Sequence, residues 1–130
     1  MNFKAVEIEL GGTKVPLCFN NRAMFAMQAK LGKDMLDKIS GTDEEAYQAA
    51  VDALLILNAE AVAVKRRLGY AAEPELDADV SELMTPADWV KAKAGIFAAV
   101  ALGYDREVPD SEDVDLVLLE YQKKTGPGRS

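Results

Sequence analysis

The chain has 130 residues, of which 49% are hydrophobic and 28% charged, and 22 acidic against 15 basic residues give a net charge of −7. This length and composition predict a single soluble domain spanning residues 1–130, with a core that needs neither a metal nor a disulfide. The acidic balance disfavours nucleic acid as a partner, because the phosphate backbone is also anionic.

The residue types present also argue against catalysis. The sequence contains no histidine, which removes the commonest general acid–base group and metal ligand, and it contains only one cysteine. We therefore predict a protein that is not an enzyme and uses no cofactor. Residues 1–7 lack the apolar stretch of a signal peptide, and no apolar run approaches the roughly 20 residues of a membrane span. We expect a cytoplasmic protein without a membrane partner.

Residues 1–19 are predicted to form a β-hairpin. Apolar residues alternate with charged ones from Val6 to Leu10, and a second alternation runs from Val15 to Phe19. The pair Gly11–Gly12 between these runs favours a tight turn. Pro16 cannot donate a backbone hydrogen bond, so the second strand is predicted to lie at an edge of its sheet.

A first helix is predicted from Asn20 or Asn21, either of which can cap it, to about Ile39. Gly32 lies inside this stretch and is expected to bend the helix or to allow close packing. Apolar residues recur at helical spacing and form one stripe. The stripe comprises Met24, Met27, Leu31, Met35 and Ile39.

A second helix is predicted from Thr42, as the capping residue, to about Leu68, with Gly69 just beyond its end. Between Val51 and Val64 the only polar residues are Asp52, Asn58 and Glu60. Such a helix is apolar nearly all round. It must therefore be central in its domain or be covered on a second side by a partner.

The remaining chain is predicted to form a looser acidic segment and two further helices. Residues 70–84 carry many acids, with a short turn at 80–83. A third helix then begins with Thr85 as cap and Pro86 in its first turn, and Gly103 is expected just beyond its end. A fourth helix is predicted after the polar loop of residues 105–110, and it includes residues 116–124.

This last helix is capped in the prediction by Asp110 or Ser111, and one of its faces combines Val114, Val117, Leu118 and Tyr121. Residues 126–130 are expected to be a flexible tail. The predicted fold is mostly helical α+β, with an N-terminal β-hairpin followed by about four helices. The helices occupy residues 20–125.

Candidate metal and nucleophilic sites are weak. Asp77, Asp79 and Ser81 match the first positions of a calcium loop, but Glu82 stands where that loop needs glycine. Cys18 has no histidine to activate it, so a small apolar filler is its expected role. We predict no metal site and no catalytic residue.

The apolar surface of the first two helices is the predicted site of partner contacts. Methionine side chains are flexible and polarizable, so stripes that contain them adapt to varied apolar segments. The alternative is that the same side chains simply fill the core. The predicted contact residues are Met24, Met27, Leu31, Met35, Leu54, Leu57 and Val62.

Several segments, taken in order, carry a resemblance to a known family and cover nearly the whole chain. They are the hairpin of residues 6–19, the run 21–33 (NRAMFAMQAKLGK) with its leucine-glycine-lysine step, the alanine-rich helix 49–64, the segment 59–70, residues 83–89 (LMTPADW) and the final helix 116–124. In this order of elements the chain resembles the tail assembly chaperones of long-tailed bacteriophages.

The resemblance implies a protein that binds the tape measure protein, a long apolar helical chain, in the cytoplasm of the bacterial host. It would keep that client soluble until tail tube protein, a further potential partner, polymerises around it, and it would be absent from the finished virion. Association of several copies along the client is expected, because linked weak sites gain avidity. A head–tail connector or tail structural component, a small carboxylate-dependent enzyme and an antitoxin-like adaptor are the alternatives.

Overall fold

The computed structural model of the chain describes residues 2–71, 74–108 and 113–120. The fold over these residues is mostly helical α+β, as predicted, and its N-terminal hairpin is present. In chain order, the elements are the two strands of this hairpin, five helices and a third strand. They are β1 (Asn2–Leu10), β2 (Thr13–Leu17), α1 (Asn21–Leu31), α2 (Met35–Ser40), α3 (Glu44–Arg67), α4 (Val80–Leu83), α5 (Pro86–Gly103) and β3 (Asp115–Glu120).

The three strands form one antiparallel sheet in the order β2-β1-β3. Val6, in the middle of β1, lies opposite Leu17 of β2 and Leu116 of β3. The hairpin turns at Gly11 and Gly12, as predicted. Pro16 lies in β2 at one edge of the sheet, so its predicted edge position is also confirmed.

The predicted fourth helix is wrong, because residues 115–120 form strand β3 instead. A short apolar run cannot be assigned to helix or strand by periodicity alone, and here tertiary pairing decides. Phe3 lies opposite Leu119 and Ala5 opposite Val117, so β3 completes the edge that β1 would otherwise leave open. The proposed caps, Tyr121 and the tail at 126–130 lie outside the described residues.

The predicted first helix is in fact two helices separated at Gly32. Asn20 caps α1 as predicted, and its Oδ1 accepts a hydrogen bond from the backbone N–H of Ala23 at 3.0 Å. Gly32 then takes a φ of 92°, a left-handed conformation that favours glycine and ends the helix. The chain restarts as α2 at Met35, so the predicted continuous helix to Ile39 is corrected.

Helix α3 begins one residue later than predicted. Asp43, rather than Thr42, is the capping residue, and its carboxylate accepts the backbone N–H of Ala46 at 2.8 Å. The aspartate side chain carries the negative charge that the positive end of the helix dipole favours. The predicted end is confirmed, since Gly69 follows the helix with a φ of 93°.

Helix α5 begins as predicted and ends later. Thr85 and Asp88 exchange hydrogen bonds, each at 3.1 Å, and so form the expected capping box. Gly103 belongs to the helix, and the positive φ of 57° falls on Asp105 instead. Glycine at 103 has a packing reason, because a Cβ there would lie 2.5 Å from the carbonyl oxygen of Phe19.

Helix α3 is the centre of the fold. Its buried positions occupy most of its circumference, and helices α1, α2 and α5 and strand β2 pack around it. The remaining side, which includes Asp52, Leu55 and Ala59, is half-buried. By length and composition it could span a membrane, which differs from the sequence-based expectation, yet 61% of its most apolar window is buried inside the protein. Burial by protein is the expected state of a central core helix.

Alternate residues of the sheet pack into two clusters on opposite faces. Val6, Ile8 and Leu17 join the main core with α1, α2, α5 and the first half of α3. Ala5 and Leu119 join a smaller cluster with the C-terminal half of α3. The main face holds α5 very closely, since a Cβ on Gly95 would lie 2.6 Å from Cγ2 of Ile8 and 3.1 Å from Cδ1 of Leu17.

We predict that Gly95→Ala destabilises the protein, although alanine is favoured over glycine within a helix by about 1 kcal/mol. The added methyl would meet Cγ2 of Ile8, which is attached to a rigid branched carbon and cannot swing away. Overpacking of this kind costs about 1–3 kcal/mol. Urea unfolding measures the change, with Ala94→Gly on a half-buried position of α5 as the control; a more stable Gly95→Ala protein would contradict the packing described.

Candidate binding groove

The structure places six of the seven predicted contact residues in the core. Only Met24 keeps a half-buried side chain, and its sulfur accepts a hydrogen bond from the Tyr104 hydroxyl at 3.4 Å. On the folded chain the other six offer no accessible surface, and core filling accounts for them. They are Met27, Leu31, Met35, Leu54, Leu57 and Val62, none more than 8% exposed.

The structure instead brings together an apolar groove between the β1–β2 hairpin and the segment around α4. Its volume is about 260 Å³. We call it the hairpin groove. Its apolar lining consists of Leu10, Val15, Leu76, Val80, Leu83 and Met84.

One buried amide holds the two walls of the hairpin groove together. Asn58 lies inside α3 and is 2% exposed. Its Nδ2 donates to the carbonyl oxygen of Pro16 in β2 at 3.1 Å, and its Oδ1 accepts from the backbone N–H of Leu76 at 2.9 Å. Since both groups of the amide are used, Asn58 sets the distance between the hairpin and the opposite wall.

A second long-range contact fixes α4 itself. The hydroxyl of Tyr47, on α3, donates to the carbonyl oxygen of Ser81. The Tyr47 ring also meets the Trp89 ring edge-on, with centroids 5.1 Å apart. These contacts hold a helix of only four residues, which is too short to be stable by itself.

The four apolar residues of this wall, Leu76, Val80, Leu83 and Met84, all line the hairpin groove. Val80 and Leu83 lie three residues apart on α4 and so share a helical face, whereas Leu76 precedes the helix and Met84 follows it. Val80 is buried, Leu76 and Met84 are half-buried, and Leu83 is 75% exposed. Leu83 thus stands at the rim, where it is available to a partner.

Acidic side chains lie in and near the hairpin groove. Asp88 contributes to its lining, and Asp77, Asp79 and Glu82 are exposed on the segment that forms the α4 wall. Their negative charge favours a ligand that carries lysine or arginine beside its apolar part. The groove therefore combines an apolar floor with an acidic border.

Cys18 lies away from the hairpin groove, in the smaller cluster beneath α3. It is 3% exposed, and burial together with the nearby Glu60 carboxylate raises the pKa of its thiol to about 11. Glu60 accepts a hydrogen bond from Nδ2 of Asn20 at 2.7 Å and lies 3.7 Å from the Arg22 guanidinium. Because the thiolate is the nucleophile, this environment disfavours reactivity and fits the predicted filler role.

Acidic groups do not assemble into a metal site within the described parts of the chain, where no group of three or more Cys, Asp or Glu could hold an ion. In the calcium-like stretch, Oδ1 of Asp77 accepts the backbone N–H of Asp79 at 3.0 Å, a local turn contact. A small recess of about 80 Å³ near Glu7 and Asp115 also contains Lys14 and Lys91, whose two positive charges offset half of the charge of its four acids.

The predicted short turn at 80–83 is confirmed by α4, and residues 74–77 before it form no regular element. Sequence reasoning missed the hairpin groove because it did not place this segment against the hairpin. The recurrence of Leu76, Val80, Leu83 and Met84 was the available signal. Nothing in the local pattern indicates that Asn58 joins this segment to the hairpin. That contact depends on α3 being central.

Comparisons of the chain with protein-family models, curated proteins and solved structures find no match. Functional inference for this protein therefore depends on the hairpin groove, its acidic border and the resemblance of its sequence segments to the chaperone family.

We predict that Asn58→Ala destabilises the protein by about 2–4 kcal/mol. The change leaves the Pro16 carbonyl and the Leu76 N–H without their partners, and each buried unsatisfied group costs about 1–3 kcal/mol. Denaturant unfolding measures the loss. Gln48→Ala, which removes an exposed 3.4 Å hydrogen bond on the same helix, is the control and should change stability by no more than about 0.5 kcal/mol. Equal effects of the two variants would contradict the role of Asn58.

We also predict a decline in stability between about pH 9 and pH 11 that depends on Cys18. The thiol has a pKa of about 11 in the folded chain, raised from its ordinary value of 9.0. The unfolded chain therefore loses this proton first, and stability that is present below pH 9 falls as the pH rises, by about 2–3 kcal/mol in total. Unfolding of Cys18→Ala over the same range isolates the contribution; identical pH profiles for the two proteins would refute it.

Proposed function

We propose that this protein is a phage tail assembly chaperone that binds apolar helical segments of the tape measure protein in the hairpin groove. It keeps this client soluble until the tail tube forms around it. The observation that carries the proposal is the apolar groove itself, in which Leu83 remains 75% exposed at the rim. A large apolar side chain held in that position by Asn58 and Tyr47 is suited to contact another chain.

The size of the hairpin groove suits side chains rather than a small molecule. Its volume of about 260 Å³ is below the roughly 300–1,000 Å³ of typical small-molecule pockets. A helix that lays one apolar stripe across the groove would insert side chains spaced by three or four residues. A long helical client offers many such stripes, so each contact can be weak.

The composition of the lining supports binding of varied segments. Met84 is half-buried in the wall, and its unbranched, polarizable side chain can adjust to different apolar shapes. The walls come from separate elements, the hairpin and the α4 segment. Small changes in their spacing would accommodate different residues of a client.

Charge supports the second part of the role, which is to keep the complex in solution. Each bound copy adds a net charge of −7, so complexes that carry several copies repel one another and stay in solution. The acids beside the groove add a preference for client segments with basic residues next to the apolar stripe. We therefore expect bound segments to be amphipathic and basic.

We predict that Leu83→Asp impairs the chaperone without unfolding it. The side chain is mostly exposed, so folding should change little, whereas a charge at the rim must be desolvated when an apolar segment binds. The affinity for the client should fall roughly tenfold, or about 1.4 kcal/mol. Co-expression with the tape measure protein of the same phage, followed by measurement of the soluble client fraction, tests this.

Val90→Asp is the matched control, because Val90 is 62% exposed on α5 and does not line the groove. The control should retain the soluble client fraction seen with the unaltered protein. A client that is equally soluble with and without this protein would overturn the proposal. Stoichiometric amounts of the protein in purified virions, measured by mass spectrometry, would favour a tail structural component instead.

A further inference from the structure

Strand β3 presents an unusual edge. Its inner edge pairs with β1, and among the described residues no strand pairs with its outer edge. Such an edge presents a row of N–H and C=O groups that can pair with another chain. Proteins normally protect it with proline, lysine, a bulge or a covering element.

The opposite edge of the same sheet, β2, is protected in several of these ways. It contains Pro16 and Lys14. Helix α3 also covers it, since Asn58 binds the Pro16 carbonyl and the N–H of Cys18, just after β2, donates to the carbonyl of Leu57 at 3.1 Å. Among residues 2–71, 74–108 and 113–120, protection of this kind is present at the β2 edge alone.

Strand β3 carries leucines at the positions where a protected edge would carry charges. Leu116 is 55% exposed and Leu118 is 47% exposed. Both point to the same face, because they are two residues apart, whereas Leu119 is buried on the other face. An exposed apolar edge strand of this kind is a pairing site.

We propose that β3 pairs antiparallel with β3 of a second copy, about a two-fold axis at Val117, to give a continuous six-stranded sheet. In this register Leu116 lies opposite Leu118 of the second copy, and Leu118 lies opposite Leu116. All four exposed leucines then form one cross-strand cluster. The interface is isologous, as in most homodimers.

Charge placement favours this register over its neighbours. With the axis at Val117, the two Asp115 residues lie at opposite ends of the ladder, roughly 14 Å apart at about 3.4 Å per residue. This separation exceeds the Debye length of about 10 Å at 0.1 M salt. An axis at Leu118 would instead place Leu116 opposite the charged Glu120. An axis at Leu116 would bring the two Asp115 residues within about 7 Å of each other along the strands, at about 3.4 Å per residue.

The net charge opposes association, and this gives the interface a characteristic salt response. Each copy carries −7, so two copies repel at long range. Raising the salt concentration from about 0.1 M to about 1 M shortens the Debye length from about 10 Å to about 3 Å and should strengthen the dimer. An interface held by salt bridges would respond in the opposite direction.

The experiment measures the mass of the full chain by light scattering after size exclusion. The unaltered protein should be a dimer, and the double variant Leu116→Glu, Leu118→Glu should have half that mass. Both positions are exposed, and a glutamate at 118 would lie opposite Lys4, so the monomer should keep its stability. In the dimer, the glutamates at 116 and 118 of the two copies would lie opposite each other and repel. The matched control, Leu83→Glu, alters a 75% exposed leucine in the hairpin groove and should remain dimeric.

Complementary charges and a cysteine test the register itself. Mixing the double-glutamate variant with the corresponding Leu116→Lys, Leu118→Lys variant should restore a dimer, because opposite charges then face each other. Val117→Cys should form a disulfide with its own copy under oxidation, whereas Leu116→Cys should not, since antiparallel register separates the two 116 positions beyond the roughly 7 Å that a disulfide can bridge. Both cysteine variants are made in the Cys18→Ala background, because Val117 packs against the cluster that contains the free thiol of Cys18.

A monomeric unaltered protein overturns the proposal, including the case in which residues 121–130 of the same chain cover β3. So does a dimer that survives the double-glutamate change, or one that the Leu83→Glu control abolishes. A Leu116→Cys protein that cross-links as readily as Val117→Cys refutes the register. The proposal does not depend on the chaperone role, because the hairpin groove and β3 are separate surfaces with separate variants.

Discussion

The fold of this protein follows from the need to cover one helix on every side. Helix α3 is apolar over most of its circumference, and its only polar residues in the middle are Asp52, Asn58 and Glu60. Exposing such a helix would cost about 25 cal/mol for each Å² of apolar surface in water. The sheet, α1 and α2, and α5 each cover part of it. Even the buried polar groups serve this arrangement, since Asn58 joins the sheet edge to the α4 segment and Glu60 accepts a hydrogen bond from the cap of α1.

The covering of α3 leaves apolar surface exposed at two other places, the α4 segment and strand β3. The α4 segment is held by the hydrogen bonds at Ser81 and Leu76 and by the buried Val80, and its Leu83 extends from the fold beside the hairpin. Strand β3 covers β1 but has nothing on its far side among the described residues. The two surfaces differ in character, because the hairpin groove offers side-chain contacts to a helix and the β3 edge offers backbone hydrogen bonds to a strand. A chaperone of this design would use the groove for its client and the β3 edge to pair with a second copy.

The sequence predicted the hairpin, the edge position of Pro16, the caps at Asn20 and Thr85 and the central role of the second predicted helix, because each depends on local chemistry or on a long periodic pattern. It failed where tertiary contacts decide. Residues 115–120 are a strand because β1 has a free edge there, and the predicted contact residues are buried because α1 packs its stripe inward. A methionine stripe looks the same in a core and on a binding surface. The distinction depends on which neighbours the fold supplies, and an isolated sequence does not contain that information.

The central claim is that this chain binds apolar helical segments with the hairpin groove. The most direct measurement is a methyl NMR titration of the protein with a synthetic amphipathic, basic helical peptide taken from its proposed client. The account predicts shifts at the methyl groups of Leu10, Leu83 and Met84, and none at Leu54 or Leu57 in the core. Shifts confined to α1 and α3, or no shifts at any peptide concentration, would contradict it.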